Sequence, residues 1–319
     1  MRFASAVSVA VIAAGALAVA QAPKPVHRQR FAMWTVVDIV AYHPARSEAE
    51  AAVGKALDEI ERLDEVLSNY EAESDVSKLV REGRNKAVVV DPSLFEIIEK
   101  STDLSRRSGG KFDATIGPLL KVWKSAKEQQ RKPTAEEIAA ARRCVGYEKI
   151  EMSPPDRILI RSECVEIDLG GIGKGYAVER AMNILKAAGI RNAVINAGSS
   201  SIAAIGSPPG SKGWPVRFIE SAAGNRSLLL KDTSISTSEQ TGSILDPSTG
   251  NPTSERMTVS VIAPSATLSD GLSTTLLLMS IEDGKKLLSG YENVSAFWIA
   301  PGGQVSASYG ESRVSIVDK

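Results

Sequence analysis

The chain is poor in the residues that build metal clusters and disulfide scaffolds. It has two cysteines, Cys144 and Cys164, and two histidines, His27 and His43. Two cysteines are too few for a disulfide framework, and no Cys/His spacing suits zinc. Both histidines precede the first long helical pattern, which excludes an ordinary histidine-based triad. There is no charge of either sign in excess, with 38 basic residues against 38 acidic ones. That balance argues against nucleic acid or a polybasic membrane surface as partner. Beyond the N-terminus no apolar run is long enough to cross a bilayer. The 43% hydrophobic content is that of a globular protein with a sizeable core.

The N-terminus is different. Met1-Arg2-Phe3 opens a run of Ala, Val, Ile, Gly and Leu that reaches Ala20. One positive charge, an apolar centre and small residues predict a secretory signal over residues 1–20. Ala18-Val-Ala20 and Ala20-Gln-Ala22 both fit the small-x-small rule, so cleavage falls after Ala20 or extends to Ala22. Pro23 disfavours the second choice. The run is Ala-rich and barely long enough to serve as an uncleaved anchor. The expectation is an exported protein, periplasmic where the cell has an outer membrane, with no stable membrane insertion after cleavage. In that compartment Cys144 and Cys164 either pair across a short excursion of strands or stay as two buried thiols.

The most organised stretch is Val165-Glu-Ile-Asp-Leu-Gly-Gly-Ile-Gly-Lys-Gly-Tyr176, with four glycines between Gly170 and Gly175. It predicts a short strand carrying Asp168, a glycine turn and a helix that stops at Gly189. Strand, glycine turn and helix bring backbone N–H groups near a phosphate. The dinucleotide fingerprint fails, because its last glycine would fall on Tyr176. The P-loop fails because Gly175 follows Lys174. Read alone, such a turn also serves simply to pack a helix close to a sheet.

Elsewhere Phe31–Tyr42 reads as one strand. Ser47 with Glu50 predicts a capping box before a helix whose apolar face is Val53, Leu57, Ile60, Leu63 and Leu67. Ser74–Ser77 reads as a polar loop. Asp91-Pro92 opens a helix that Gly109-Gly110 stop, and Thr134 with Glu137 predicts a second capping box. Strands are expected near Val88–Val90, Tyr147–Met152, Arg157–Ile160, Asn192–Gly198, Val216–Ile219, Leu228–Leu230, Ser234–Ser243, Thr258–Ile262 and Ser295–Ile299. Ala266–Ser280 reads as a helix. Strands and helices mix without regular alternation, which gives an α+β class.

On the Ala266–Ser280 helix, Asp270 and Thr274 stand four apart and share a face. Joined by a backbone carbonyl near Gly171, they would make an all-oxygen set suited to Mg²⁺. Taken alone, Asp270 does no more than favour the helix N-terminus, and Thr274 is surface filler.

Read together, the motifs say more. Met33-x-Thr35, Leu67-Ser-x-Tyr70, Phe112-Asp-x-Thr-x-Gly-Pro118, Asp168-Leu-Gly-Gly-Ile-x-Lys-Gly-Tyr176, Asn196-Ala-Gly198, Asp246-Pro-x-Thr-Gly250 and Asp270-x-Leu-x-Thr274 follow one another in order. This series resembles the FAD:protein FMN transferases, the ApbE family, from about Phe31 to Ile299. The resemblance implies a domain over 31–319 with mixed sheets flanked by helices, in two lobes around a flavin site. It implies Mg²⁺-dependent transfer of FMN from FAD to a Thr or Ser of a partner protein, with release of AMP. By the same resemblance Met33, Tyr70, Lys111, Phe112, Asp113, Asp168, Lys174 and Ile244 would bind FAD. Gly171, Asp270, Ser273 and Thr274 would hold the metal, and Asp270, Ser243 and Asp246 would take catalytic parts.

The chain departs from the family pattern at several points. Ser243 stands where the pattern has histidine, Trp34 where it has glycine, and Glu239 where it has glycine. Gly198-Ser-Ser200 replaces Gly-Gly-Asp. These changes fall on the acceptor side and leave open a flavin-binding protein without transfer, or an FAD pyrophosphatase.

Overall fold

The computed structural model describes residues 24–221, 224–253, 256–311 and 315–318; the leader expected over residues 1–20 lies outside them. β1 (Val26–Ala32) and β2 (Thr35–Tyr42) are followed by α1 (Arg46–Leu67), α2 (Asp75–Glu82), β3 (Val88–Val89), α3 (Pro92–Arg107), α4 (Gly117–Glu128) and α5 (Ala135–Arg142). β4 (Ile150–Ser153) and β5 (Arg157–Ile160) lead to α6 (Gly173–Ala187). Next come β6 (Asn192–Ala197), β7 (Ser201–Ile205), β8 (Trp214–Ser221), β9 (Gly224–Leu230), β10 (Thr233–Glu239) and β11 (Thr258–Ala263). The chain ends with α7 (Ala266–Leu276), α8 (Ile281–Leu288), β12 (Ser295–Ile299), β13 (Val305–Tyr309) and β14 (Ile316–Asp318).

An eight-stranded antiparallel sheet in the order β1-β2-β6-β7-β10-β11-β12-β13 forms the centre. Both of its faces are covered, so β7 and β12 are buried along their whole length, whereas β6 alternates and β10 carries buried serines. Ala203, Ile205, Val259, Val261, Ala296 and Trp298 face α1, α6 and α7. Ile202, Ala204, Ile262, Phe297 and Ile299 face the opposite way, onto Trp214, Leu228 and Leu230 of the small β14-β9-β8 sheet. A second small sheet, β3-β5-β4, turns at Pro154-Pro155. A satellite cluster of Leu119, Ala141 and Leu245, with Trp123 donating to the Gly250 carbonyl at 2.8 Å, docks α4 and α5 on the 246–250 turn. Among the described residues no helix is long and apolar enough to cross a membrane.

Several expectations hold at the level of single caps. Asp91 accepts from the Ser93 N–H and Pro92 sits in the first turn of α3. Thr134 and Glu137 form the full capping box of α5. Gly189 takes φ +81° just after α6.

Others are corrected. The segment Phe31–Tyr42 is not one strand but the end of one and the whole of the next. Ala32 pairs with Thr35, so Met33-Trp34 is a two-residue hairpin loop with φ of +52° and +60°. Glycine and asparagine normally supply that geometry, and neither residue signals a turn. Left-handed backbone costs about 1–2 kcal/mol per non-glycine residue. The Met33 N–H is tied to Asp64 Oδ2 at 2.7 Å, which helps hold the loop. The Ser47/Glu50 box does not form: Ala45 precedes α1 without a side-chain cap, and Glu50 pairs with Arg46 at 3.0 Å. Ser74–Ser77 is the start of α2, because Ser74 accepts from the Ser77 N–H and Val76, Leu79 and Val80 give a buried face. The strand before the glycine loop is an extended segment with one bridge, Ile116 to Glu166, and one further backbone bond, from the Asp168 N–H to the Ala114 carbonyl at 2.7 Å, too few for a ladder. α7 ends at Leu276, four residues early, and Ser280 caps the separate α8. β7 and β13 carry no strong sequence signal of their own.

Cys144 and Cys164 are bonded, joining the end of α5 to the segment before the glycine loop across a sequence separation of 20. Replacing both with serine is expected to lower unfolding stability by about 3 kcal/mol, the loop-closure scale for such a span. Chemical denaturation of the two forms checks this. Equal midpoints would show that the link adds nothing.

Candidate active site

The site is built where the first turn of α6 meets α7. Val165, Ile167 and Leu169 are buried along the extended segment, which turns Asp168 outward. The Asp168 carboxylate accepts from the Gly170 N–H at 2.8 Å and from Asn69 Nδ2 at 2.6 Å. Gly175 exists for contact: a Cβ there would lie 2.2 Å from the Ala266 carbonyl oxygen and 2.5 Å from Asp270 Cβ. α6 and α7 therefore touch backbone to side chain. The Gly175 N–H donates to Asp270 Oδ2 at 2.7 Å, and Thr274 Oγ1 donates to the Gly171 carbonyl at 3.2 Å. The shared face of Asp270 and Thr274 is thus brought onto the glycine loop, as the spacing predicts.

The N–H groups at this helix start are largely spoken for. Gly173 donates to the Leu169 carbonyl, Gly175 to Asp270 and Tyr176 to the Ile172 carbonyl. A phosphate here would rely on the Lys174 side chain more than on a backbone cradle.

Two cavities meet at this point. One of about 340 Å³ is lined by Phe112, Gly171, Lys174, Ile244, Asp270 and Thr274, with Ser243 at its wall. The other, of about 540 Å³, is lined by Met33, Trp34, Tyr70 and Lys124. Asp168, Gly170 and Lys174 belong to both. A groove of about 910 Å³ runs past Tyr70, Asp168 and Ser243 along the lysines of α4. Asp270 is buried, and burial pushes its carboxyl up; Lys174, the Gly175 N–H and a Ser201 hydroxyl pull the other way.

The remaining expected residues divide. Tyr70 is exposed and meets Trp34 edge to face with ring centroids 6.0 Å apart. Lys111 lines the smaller cavity while its Nζ lies 2.7 Å from Asp246 Oδ2. Asp246 also accepts from the Ser248 N–H and hydroxyl. Burial alone would raise its carboxyl, yet Lys111 and Ser248 hold it below the usual carboxylate range. A carboxylate committed to three donors is a turn anchor and a poor base, so the catalytic part expected of Asp246 is not what its surroundings suit. Asp113 accepts from the Thr115 N–H and hydroxyl and from the Tyr147 N–H. It fixes the loop that presents Phe112. Ser273 faces away from the cavity: its hydroxyl donates to the Asp270 carbonyl and pairs with Ser238 Oγ at 2.8 Å. Ser243 is exposed, its Oγ 3.2 Å from Thr241 Oγ1. Neither histidine is near, since His27 pairs with Asp38 on β2 and His43 binds the Ala45 backbone.

Three contributors carried no motif of their own. Ser238 Oγ lies 3.2 Å from Thr274 Oγ1, Asn69 orients Asp168, and Lys124 faces the Tyr70 ring. Asn69 and Trp34 occupy the unspecified positions of two motifs, where pattern reading is blind.

Among the described residues no group of three or more His, Cys, Asp or Glu side chains could hold a metal. What converges is one carboxylate oxygen of Asp270, the Thr274 hydroxyl and the Gly171 carbonyl. That donor set fits a hard cation that keeps several waters and leans on substrate phosphate, and it does not fit zinc.

The ApbE family profile matches residues 33–298. The chain is 26% identical over 291 residues to a protein named FAD:protein FMN transferase from Buchnera aphidicola, spanning 82% of this chain and 85% of that one. It is 25% identical over 313 residues to one of the same name from Treponema pallidum, spanning 88% and 86%. Among solved structures, the flavin transferase ApbE from Vibrio cholerae superimposes with a TM-score of 0.81 at 23% identity, covering 90% of this chain and 96% of that one. The ApbE protein from Thermotoga maritima gives 0.78 at 27% identity, covering 91% and 98%. With the whole α+β domain and its glycine-loop corner accounted for, the chain belongs to the ApbE family.

Proposed function

We propose that this chain transfers FMN from FAD to a Thr or Ser hydroxyl of a partner protein, with Mg²⁺, and releases AMP. The observation that carries it is the convergence of Asp270, Thr274 and the Gly171 carbonyl beside Lys174, at the seam of two cavities. A dinucleotide has the matching form, with a pyrophosphate between two ring systems. Asp270, Thr274 and the Gly171 carbonyl would hold Mg²⁺, which would neutralise phosphate charge there. Lys174 adds a second positive charge on the phosphates. The acceptor oxygen forms a bond to the phosphorus of the FMN half, the bridging P–O bond breaks, and AMP leaves with those electrons. The hydroxyl proton passes to solvent or to a nearby base. The expected leader and the Cys144–Cys164 bond support an exported, periplasmic setting.

The test is AMP release from FAD with an acceptor peptide bearing Thr, with Mg²⁺ or with a chelator. AMP that depends on both peptide and Mg²⁺ is expected. AMP formed equally without peptide would point to FAD hydrolysis instead. A second reading, flavin binding with feeble transfer, is favoured by one feature: the site contains no histidine, and Ser243 stands on its rim.

A further inference from the structure

Glu179, on α6, is half-buried and has no ion-pair partner among the described residues. A glutamate within a helix is ordinarily solvated. Glu179 instead spends one oxygen on another helix. Its Oε2 accepts from the Ser265 hydroxyl and, at 3.0 Å, from the Thr267 N–H. Ser265 is the N-cap of α7, and its Oγ accepts in turn from the Leu268 N–H at 3.2 Å. With its proton committed to Glu179, that hydroxyl turns a lone pair to the helix. Glu179 therefore serves two of the N–H groups that a helix start leaves without partners, one directly and one through Ser265. Its negative charge also sits at the positive end of the α7 dipole.

This contact has a counterpart one turn away. Gly175 and Glu179 are four apart on α6 and share a face. The Gly175 N–H donates to Asp270 Oδ2, and Thr267 stands three residues before Asp270 on α7. The two helices thus meet at two rungs, Gly175 with Asp270 and Glu179 with Thr267. One rung alone leaves α7 free to swivel about it, and two fix its register. We propose that Glu179 is a positioning residue: from α6 it holds the start of α7, and so sets Asp270 and Thr274 against the Gly171 carbonyl as one donor set for Mg²⁺. The proposal rests on the functional reading above. The loop into α6 supplies the carbonyl and α7 supplies the other two oxygens, so the set is only as well defined as the seat of one helix on the other. On its opposite side α7 is tied to β10, by Ser269 to Ser234 and Ser236 and by Ser273 to Ser238. Those bonds keep α7 on the sheet when Glu179 is replaced, and they do not set its register against α6.

The test is binding of Mn²⁺, a stand-in for Mg²⁺ visible by electron paramagnetic resonance, to the protein saturated with FAD. Wild type is compared with Glu179→Ala, Glu179→Gln and Glu179→Asp. Glu179→Ala is expected to bind Mn²⁺ about 10-fold more weakly, the lower end of what loss of an outer-shell partner costs. Glutamine keeps an oxygen for Ser265 and Thr267 and gives up only the charge, so Glu179→Gln should stay within about 3-fold of wild type. Aspartate keeps the charge and withdraws the oxygens by one methylene, so Glu179→Asp should weaken binding with Glu179→Ala. FAD affinity without metal should be the same in all four proteins. A merely structural loss would lower the thermal midpoint and the fraction of protein that binds, and would leave the dissociation constant of the competent fraction unchanged. Wild-type Mn²⁺ affinity in Glu179→Ala and Glu179→Asp overturns the proposal. So does a Glu179→Gln as weak as Glu179→Ala, because the positioning bonds survive in glutamine. A wild type that binds FAD but no Mn²⁺ sinks the metal part of the functional reading and this inference with it.

Discussion

Asp270→Asn is expected to slow FMN transfer by roughly 10²–10³-fold, the scale of losing one preorganised electrostatic contact in a closed site. The substitution is nearly isosteric. Its amide oxygen still accepts from the Gly175 N–H, which the carboxylate holds at 2.7 Å, so the α6–α7 junction survives. What disappears is the only anionic donor of the proposed Mg²⁺ set. Burial already works against the charged form of this carboxyl, so removing the charge does not destabilise the fold. The thermal midpoint without metal should match or exceed that of wild type. Calorimetric FAD titrations with and without Mg²⁺ separate the effects. Wild type should bind FAD more tightly with Mg²⁺, and Asp270→Asn should give one affinity in both conditions. The same Mg²⁺ response in both proteins would remove Asp270 from the metal corner.

Ser243→His should move activity the other way. A serine hydroxyl titrates far above neutral pH and is a poor general base, and a missing base slows the chemical step by roughly 10²–10⁴-fold. Asp246 does not fill the gap, being held by Lys111 and Ser248. Glu239 ends β10 and lines none of the three cavities around the glycine loop. The position is exposed on the wall of both the smaller cavity and the α4 groove, so an imidazole fits without displacing core. Acceptor labelling should rise by a large part of that factor, while FAD affinity stays within about 3-fold, because Lys174, Asp270 and Tyr70 are untouched. Brisk transfer by wild type that Ser243→His leaves unchanged or slows would mean another group takes the proton.

The parts of this protein legible in its sequence are those set by neighbours along the chain. The Asp91 and Thr134 caps, the Gly189 stop and the i, i+4 pair Asp270/Thr274 each depend on a few adjacent residues. The glycine loop was readable as a close approach, but its partner was not: Gly175 is glycine because Ala266 and Asp270 press on it from another helix. Lys111 with Asp246, and Asn69 with Asp168, are joined over separations of 135 and 99 residues, which no local pattern records. The Met33-Trp34 loop was hidden for the opposite reason. Both residues are apolar and Trp34 favours extended structure, and the fold overrides that preference. The Ser47/Glu50 pattern misled because the helix begins two residues earlier than that box requires, with Ala45 at the cap, placing Ser47 inside it and turning Glu50 to Arg46. Ser273 followed the helix spacing yet faces Ser238 on β10, since only one of two adjacent helical positions can look into the cavity.

The most direct test of the central claim is the intact mass of an acceptor protein after incubation with this chain, FAD and Mg²⁺. The account predicts that the acceptor gains the mass of one FMN on a single Thr or Ser, that an acceptor with that residue replaced by alanine gains none, and that AMP appears in equal amount. An acceptor of unchanged mass, with free FMN and AMP accumulating or with FAD left intact, would contradict it.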